Sequence, residues 1–295
     1  MNAERNARIG RSGDQGPARA GDLGVVVGGF GTGTHNAITD VPGVAVGHTT
    51  VIRDPDIRTG VTAVVPAGVL EADGRLPAAL AVGNGHGKFI GATQVAELGV
   101  IETPVLLTAT LTNDGYLSDI RARPVTGEHV VAALTSAAAV PVAEGAVGAG
   151  TGTGALGFKA GIGTSSRLVA AGRDTVRVGA LVQANFSGTL TVTGVPVPKE
   201  AALAGLDPEP GASDERSGNS CVIVVATDAA VDARQLARIA RRALAGLAPT
   251  GSDFAGGSGD YALAFSTVAP PGATVPDRPC ARRDRGDRGG AAVPK

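Results

Sequence analysis

The chain is 295 residues long, with a net charge of −1, a pI near 6.4, 43% hydrophobic residues, 3% aromatics and no tryptophan. Its core must be built from Val, Ala, Leu and Ile, with 45 glycines for tight turns and close backbone approach, and the charge balance argues against a nucleic-acid-binding role. With no apolar signal segment, no run of about twenty apolar residues and only Cys221 and Cys280 as cysteines, the expectation is a cytoplasmic protein, off the membrane and without a disulfide framework.

Residues 1–22 are polar and rich in Gly and Arg and are expected to form a disordered leader. Residues 36–48 read as a turn followed by a strand, 60–66 as a second strand closed by proline, and 78–82 as a third. The third runs into Gly83-Asn84-Gly85-His86-Gly87-Lys88, which reads as a loop. A short helix over 92–98, a strand over 105–108 and an Asn113-Asp114-Gly115-Tyr116 turn follow. Residues 127–139 place Val130, Val131, Leu134 and Ala138 on one helical face. Residues 178–186 form a core strand with the amide of Asn185 near its end, 189–195 an outer strand, and 196–217 a mobile linker.

Asp232 opens the clearest helix. Leu236, Ile239, Ala240, Ala243, Leu244 and Leu247 share one face, and Arg234, Arg238, Arg241 and Arg242 make the solvated side. Gly256-Gly257-Ser258-Gly259-Asp260 is a polar hinge ahead of the apolar strand 261–265, and 270–295 is expected to be a disordered tail. Strands lie in the middle with helices around them, so residues 23–269 read as one domain.

The stretch that carries chemistry is Ser217-Gly218-Asn219-Ser220-Cys221, followed by the apolar run Val222-Ile223-Val224-Val225-Ala226. A serine hydroxyl is a weak nucleophile until a base takes its proton. An N-terminal serine carries its own base, because its α-amino group, with a pKa of about 7.7–8.0, accepts a proton near neutral pH. Cleavage of the Asn219–Ser220 bond would expose that amine. The cut would start with the Ser220 oxygen attacking the Asn219 carbonyl; an ester replaces the amide and water releases it. On spacing alone, the same residues also read as a turn before a strand.

A rival lies in Gly152-Thr153-Gly154-Ala155-Leu156-Gly157, a G-x-G-x-x-G with Asp174 near the distance of a ribose ligand, which would make a dinucleotide-binding oxidoreductase. Residues 141–150 make a poor strand before it, and Gly161 and Gly163 would interrupt the helix after it. Cys221 reads as a buried core thiol and Lys159 as structural or at a pocket rim. His35, His48, His86 and His129 have no partner at a diagnostic spacing, so neither metal nor cofactor is expected.

The segments around Gly218–Asp228, Gly257–Tyr261, Val182–Phe186 and Gly148–Gly152, with 36–44 as an opening motif and 157–167, together resemble the DmpA-type self-processing aminopeptidases, the L-aminopeptidase/D-amidase-esterases and β-peptidyl aminopeptidases. The resemblance spans residues 36–268 in the family's order. It implies an α+β, four-layer α-β-β-α sandwich, layered like the N-terminal-nucleophile hydrolases but differently connected. It implies cleavage before Ser220 into an α piece (1–219) and a β piece (220–295) that stay together. It also implies short peptide, amide or ester substrates and a homo-oligomer of αβ units.

Residue by residue, the resemblance implies Ser220 as nucleophile, Ser258 and Asp260 as supporting hydroxyl and carboxylate, Asn185 as oxyanion-stabilising amide and Tyr116 as active-site tyrosine. Asp114 is the candidate for holding the substrate's free ammonium. Some family members carry Glu where this chain has Asp260. Members also carry a helical segment before the Asp-Gly-Tyr turn, whereas here Leu107-Thr108-Ala109-Thr110-Leu111 runs almost directly into Asn113. That segment helps build the family's substrate pocket, so the resemblance fixes neither the L-, D- or β-residue preference nor the placement of Tyr116. An uncut, non-catalytic scaffold of the same fold is the second alternative.

Overall fold

A computed structural model describes residues 18–72, 74–109, 112–115, 117–202, 204 and 220–271. In chain order these form β1 (Val44–Arg53), β2 (Ile57–Pro66), β3 (Leu76–Gly85), α1 (Ala92–Leu98), β4 (Val100–Ile101), β5 (Val105–Leu107), α2 (Gly127–Thr135), β6 (Gly154–Ala155), β7 (Phe158–Lys159), β8 (Ile162–Ala171), β9 (Asp174–Asn185), β10 (Thr191–Val192), β11 (Val195–Pro196), α3 (Lys199–Ala202), β12 (Ser220–Thr227), α4 (Ala233–Ala245) and β13 (Gly259–Ser266). The larger strands make two sheets, a three-stranded β1-β2-β5 and a six-stranded β4-β3-β13-β12-β9-β8.

Strand alternation decides what each face buries. β12 is central and buried at every position, which its unbroken apolar run requires. Val222, Val224 and Ala226 share a core with Val44, Val46, Val64 and Leu107 of the small sheet. Cys221, Ile223 and Val225 share another with Leu236, Ala240 and Leu244 of α4. α2 covers the outer face of the small sheet, where Ala133 packs with Val61, Ala63 and Val65. The layers therefore run α2, small sheet, large sheet, α4, which is the four-layer sandwich that the resemblance implied.

α4 starts where its period and cap required. Asp232 Oδ1 accepts from the Gln235 N–H at 2.7 Å while Gln235 Oε1 accepts from the Asp232 N–H at 3.0 Å, a reciprocal cap. Other elements depart from expectation. β3 does not stop at 82 but runs through Asn84 to Gly85, with a bulge that shifts the register between Asp260 and Tyr261 on the neighbouring strand. β8 was not expected as a strand: its buried face includes Thr164 and Ser166, so it lacks an apolar signature. α2 ends at Thr135 because Ala138 leaves to exchange backbone hydrogen bonds of 3.1 Å with Val46. The expected outer strand at 189–195 is the small hairpin β10–β11.

Arg19, at the end of the expected leader, is docked. It pairs with Glu144 at 2.6 Å and donates to the carbonyls of His35 (3.0 Å), Asn36 (2.7 Å) and Thr164 (2.7 Å). Residues 1–17, most of the expected linker, Asn219 and all but the start of the expected tail lie outside the described residues. Among the described residues, no helix is long and apolar enough to cross a membrane.

Candidate active site

Ser220 is the first residue of β12 and 4% exposed. Its register sets Asn185 of β9 opposite it on one side and Gly259 of β13 on the other. The Gly259 N–H donates to Ser220 Oγ at 3.3 Å. Only glycine fits at 259, since a Cβ there would stand 2.6 Å from the Gly87 backbone and 3.3 Å from Ser220 Oγ. The Gly87 segment is held against the site by the Tyr261 hydroxyl, which donates to Gly87 O at 2.7 Å.

Residues directly opposite on paired strands share a sheet face, so the Asn185 side chain lies on Ser220's side. It is fully buried; its Oδ1 accepts from the Gly154 N–H at 3.1 Å and its Nδ2 donates to Asn113 O at 3.0 Å. Asn113 leads into Asp114, whose carboxylate is 1% exposed with no hydrogen-bond partner on either oxygen among the described residues. Burial pushes the Asp114 carboxyl up to about 6; the nearby Thr59 hydroxyl and Asp114's own backbone offset this only in part. The glycine-rich loop presses on this residue: a Cβ at Gly152 would stand 2.0 Å from Arg58 O and 2.9 Å from Asp114 Cβ.

Ser258 and Asp260 are both buried, and Ser258 Oγ donates to Asp260 Oδ1 at 2.7 Å. Asp260 is in register with Cys221 rather than Ser220, so alternation turns its side chain to the α4 face of the sheet. It is hydrogen-bonded to Ser258, the residue before Gly259, and Gly259 is the one in register with Ser220. A residue not expected at the site is Asn84, whose Nδ2 donates to Asp260 Oδ2 at 3.1 Å and to Phe254 O at 3.0 Å. Its place between two glycines signalled a loop. The usable signal was an amide at the end of an apolar strand.

Burial and the Asp260 charge hold the Cys221 thiol well above its ordinary range, as befits an inert core residue. Lys159 is partly desolvated, which lowers its ammonium to about 8. The dinucleotide reading is overturned. Gly154–Ala155 pairs with Phe158–Lys159 in a tight hairpin, so G-x-G-x-x-G opens no helix and offers no helix N-terminus to a pyrophosphate. Tyr116 lies outside the described residues.

The site thus joins a strand-initial serine, a buried amide facing it, a hydroxyl–carboxylate pair and a buried carboxylate without a hydrogen bond among the described residues. The signature of Peptidase family S58 matches residues 36–112 and 110–285. The chain belongs to that family. It is 41% identical to the β-peptidyl aminopeptidase BapA of Sphingosinicella xenopeptidilytica, over 84% of this chain and 73% of that protein. A β-aminopeptidase from Burkholderia sp. superposes with a TM-score of 0.75 at 36% identity, covering 90% of this chain and 83% of its own. The L-aminopeptidase D-Ala-esterase/amidase from Ochrobactrum anthropi, described as a new variant among the Ntn hydrolase fold, gives 0.73 at 35% identity, over 85% and 78%.

This S58 peptidase is a hydrolase of the aminopeptidase class, with the mixed α+β architecture of that Ntn variant. Its two matched segments meet at 110–112.

Proposed function

We propose that the chain cuts itself between Asn219 and Ser220 and then releases the N-terminal residue from short peptides, amides or esters. The observation that carries this is the placement of Ser220 at the buried head of a central strand, opposite Asn185. Ser220 Oγ attacks the Asn219 carbonyl carbon, the peptide bond to the Ser220 nitrogen breaks, and an ester forms. Water then hydrolyses the ester, leaving a carboxylate on Asn219 and a free amine on Ser220. In the mature site that amine takes the proton from Oγ, Oγ attacks the substrate carbonyl, the leaving amine carries the proton away, and water deacylates the enzyme.

Asn185 supplies an N–H for the developing oxyanion. Ser258, oriented by Asp260, holds the Ser220 amine and hydroxyl in line. Asp114 receives the substrate's free ammonium, which restricts the reaction to the chain end and gives its buried charge a partner. The α and β pieces stay together because β12 would remain paired to β9 of the α piece and to β13 of its own. Leu23, Val26, Val27 and Phe30, all strongly exposed on the N-terminal arm, favour burial between αβ units in a homo-oligomer.

Intact mass under denaturing conditions tests the reading. Wild type is expected as two fragments joined at Asn219/Ser220, with Ser220→Ala remaining one chain of 29.0 kDa. A wild type that stays whole yet hydrolyses aminoacyl amides would remove self-cleavage from the mechanism.

A further inference from the structure

Lys159 sits on β7, beside the site, and among the described residues its hydrogen bonds go to main-chain atoms alone. Its ammonium donates to three main-chain carbonyls, Gly150 O at 3.0 Å, Thr153 O at 2.9 Å and Ala160 O. No carboxylate forms an ion pair with it among the described residues. Lys159 as a residue is exposed, but its bonds to Gly150 O and Thr153 O are partly buried, and an ammonium held by converging carbonyls restrains them in space.

The segment so fixed is the one the site leans on. Its Gly154 N–H orients Asn185 Oδ1 at 3.1 Å, and its Gly152 Cα packs against Asp114. Its Ala149 O accepts from Gln183 Nε2 at 2.8 Å, two residues before Asn185 on the same face of β9. One loop therefore touches the residue assigned to the oxyanion and the residue assigned to the substrate ammonium.

We infer that Lys159 is a positioning residue for the aminopeptidase reaction: by gripping the Gly150 and Thr153 carbonyls it sets the 148–154 loop, and through that loop the direction of the Asn185 amide and the Asp114 carboxylate. The inference rests on the roles proposed above for those two residues. Lys159 meets no substrate and moves no proton. Its three donors converge from one nitrogen, which the planar fork of arginine does not reproduce.

The test is a kinetic cycle on the mature enzyme with an aminoacyl p-nitroanilide, comparing Lys159→Met, Asn185→Ala and the double variant. Misplacing a reacting group by about 1 Å costs on the order of 10²-fold. Lys159→Met is therefore expected to lower kcat about 10- to 100-fold and to raise KM several-fold. The double variant should have a kcat no lower than Asn185→Ala alone, while the rise in KM that runs through Asp114 persists. A merely structural lysine would lower the melting temperature while its effect multiplied with that of Asn185→Ala. Multiplying losses in kcat, or a Lys159→Met enzyme with wild-type kcat and KM beside a disabled Asn185→Ala, would overturn the inference and leave the function standing. An Asn185→Ala enzyme at wild-type rate would instead sink the assigned role of Asn185. If Lys159→Met does not fold or mature, Lys159→Gln, which keeps two donors, carries the same cycle, and its rate of self-cleavage is read against wild type.

Discussion

The two ends of β12 treat polar residues in opposite ways. At its C-terminal end every group is answered. Thr227 Oγ1 donates to Arg177 O at 2.8 Å and accepts from the Ala229 N–H at 3.1 Å. Asp228 takes the Arg177 backbone N–H at 2.6 Å and its guanidinium at 3.0 Å, and Ser266 Oγ donates to Ala229 O at 2.6 Å. At the Ser220 end a carboxylate is buried with neither oxygen bonded among the described residues, and a buried amide faces the strand's first residue. Burying a charge without a partner is costly. Among the described residues, the end without compensation is the one where the proposed substrate site lies.

The largest effect short of removing Ser220 itself is expected at Asn185. Asn185→Ala should lower kcat by about 10²–10³-fold with little change in KM, the loss typical of an oxyanion donor. Steady-state kinetics read this directly. A raised KM at unchanged kcat would mean that Asn185 shapes substrate binding and that the oxyanion is held elsewhere.

Asp114 sharpens the contrast through pH. Its folded carboxyl, at about 6, is raised above the unfolded value, so the native state favours the protonated form. The associated stability is fully present below the unfolded pKa and is lost as pH rises through about 6. A shift of about two units corresponds to roughly 3 kcal/mol. Asp114→Asn is therefore expected to melt several degrees above wild type at pH 8 and level with it at pH 4. The same variant should raise KM for substrates with a free amine about 10- to 100-fold, the worth of one charge-assisted hydrogen bond. In wild type that KM should climb as pH falls through about 6, and in Asp114→Asn it should stay flat over that range. A flat wild-type profile would detach Asp114 from the ammonium.

Much of this closed-and-open plan was legible. A polar hinge ahead of an unbroken apolar run marked β12, the same signature marked β13, and a 3.6-residue period opened by Asp232 marked α4. The rest was hidden for physical reasons. Asn84 lies in a Gly-Asn-Gly that reads as a loop, yet β3 continues there because Gly85 pairs with Gly259 at a point where backbones crowd. Asp260 sits two residues past Ser258 in the sequence, but which sheet face it takes depends on β13's register with β12. Lys159 shows no carboxylate at helical or cross-strand spacing because its partners are carbonyls, which sequence does not distinguish from any others.

The smallest effect on activity is expected at the closed end. Thr227→Val keeps shape but leaves Arg177 O without its side-chain donor and the Ala229 N–H without its acceptor, in a residue 1% exposed. Stranding buried polar groups costs about 1–3 kcal/mol, so the melting temperature should fall. The site lies at the other end of an eight-residue strand, about 23 Å away at roughly 3.3 Å per residue. No polar chain described above connects the two ends; between them runs the apolar stretch from Val222 to Ala226. Self-cleavage, kcat and KM should therefore match wild type below the new melting point. A Thr227→Val enzyme that loses rate while still folded would mean that the strand transmits strain along its length, and the division of β12 into a structural end and a reactive end would fail.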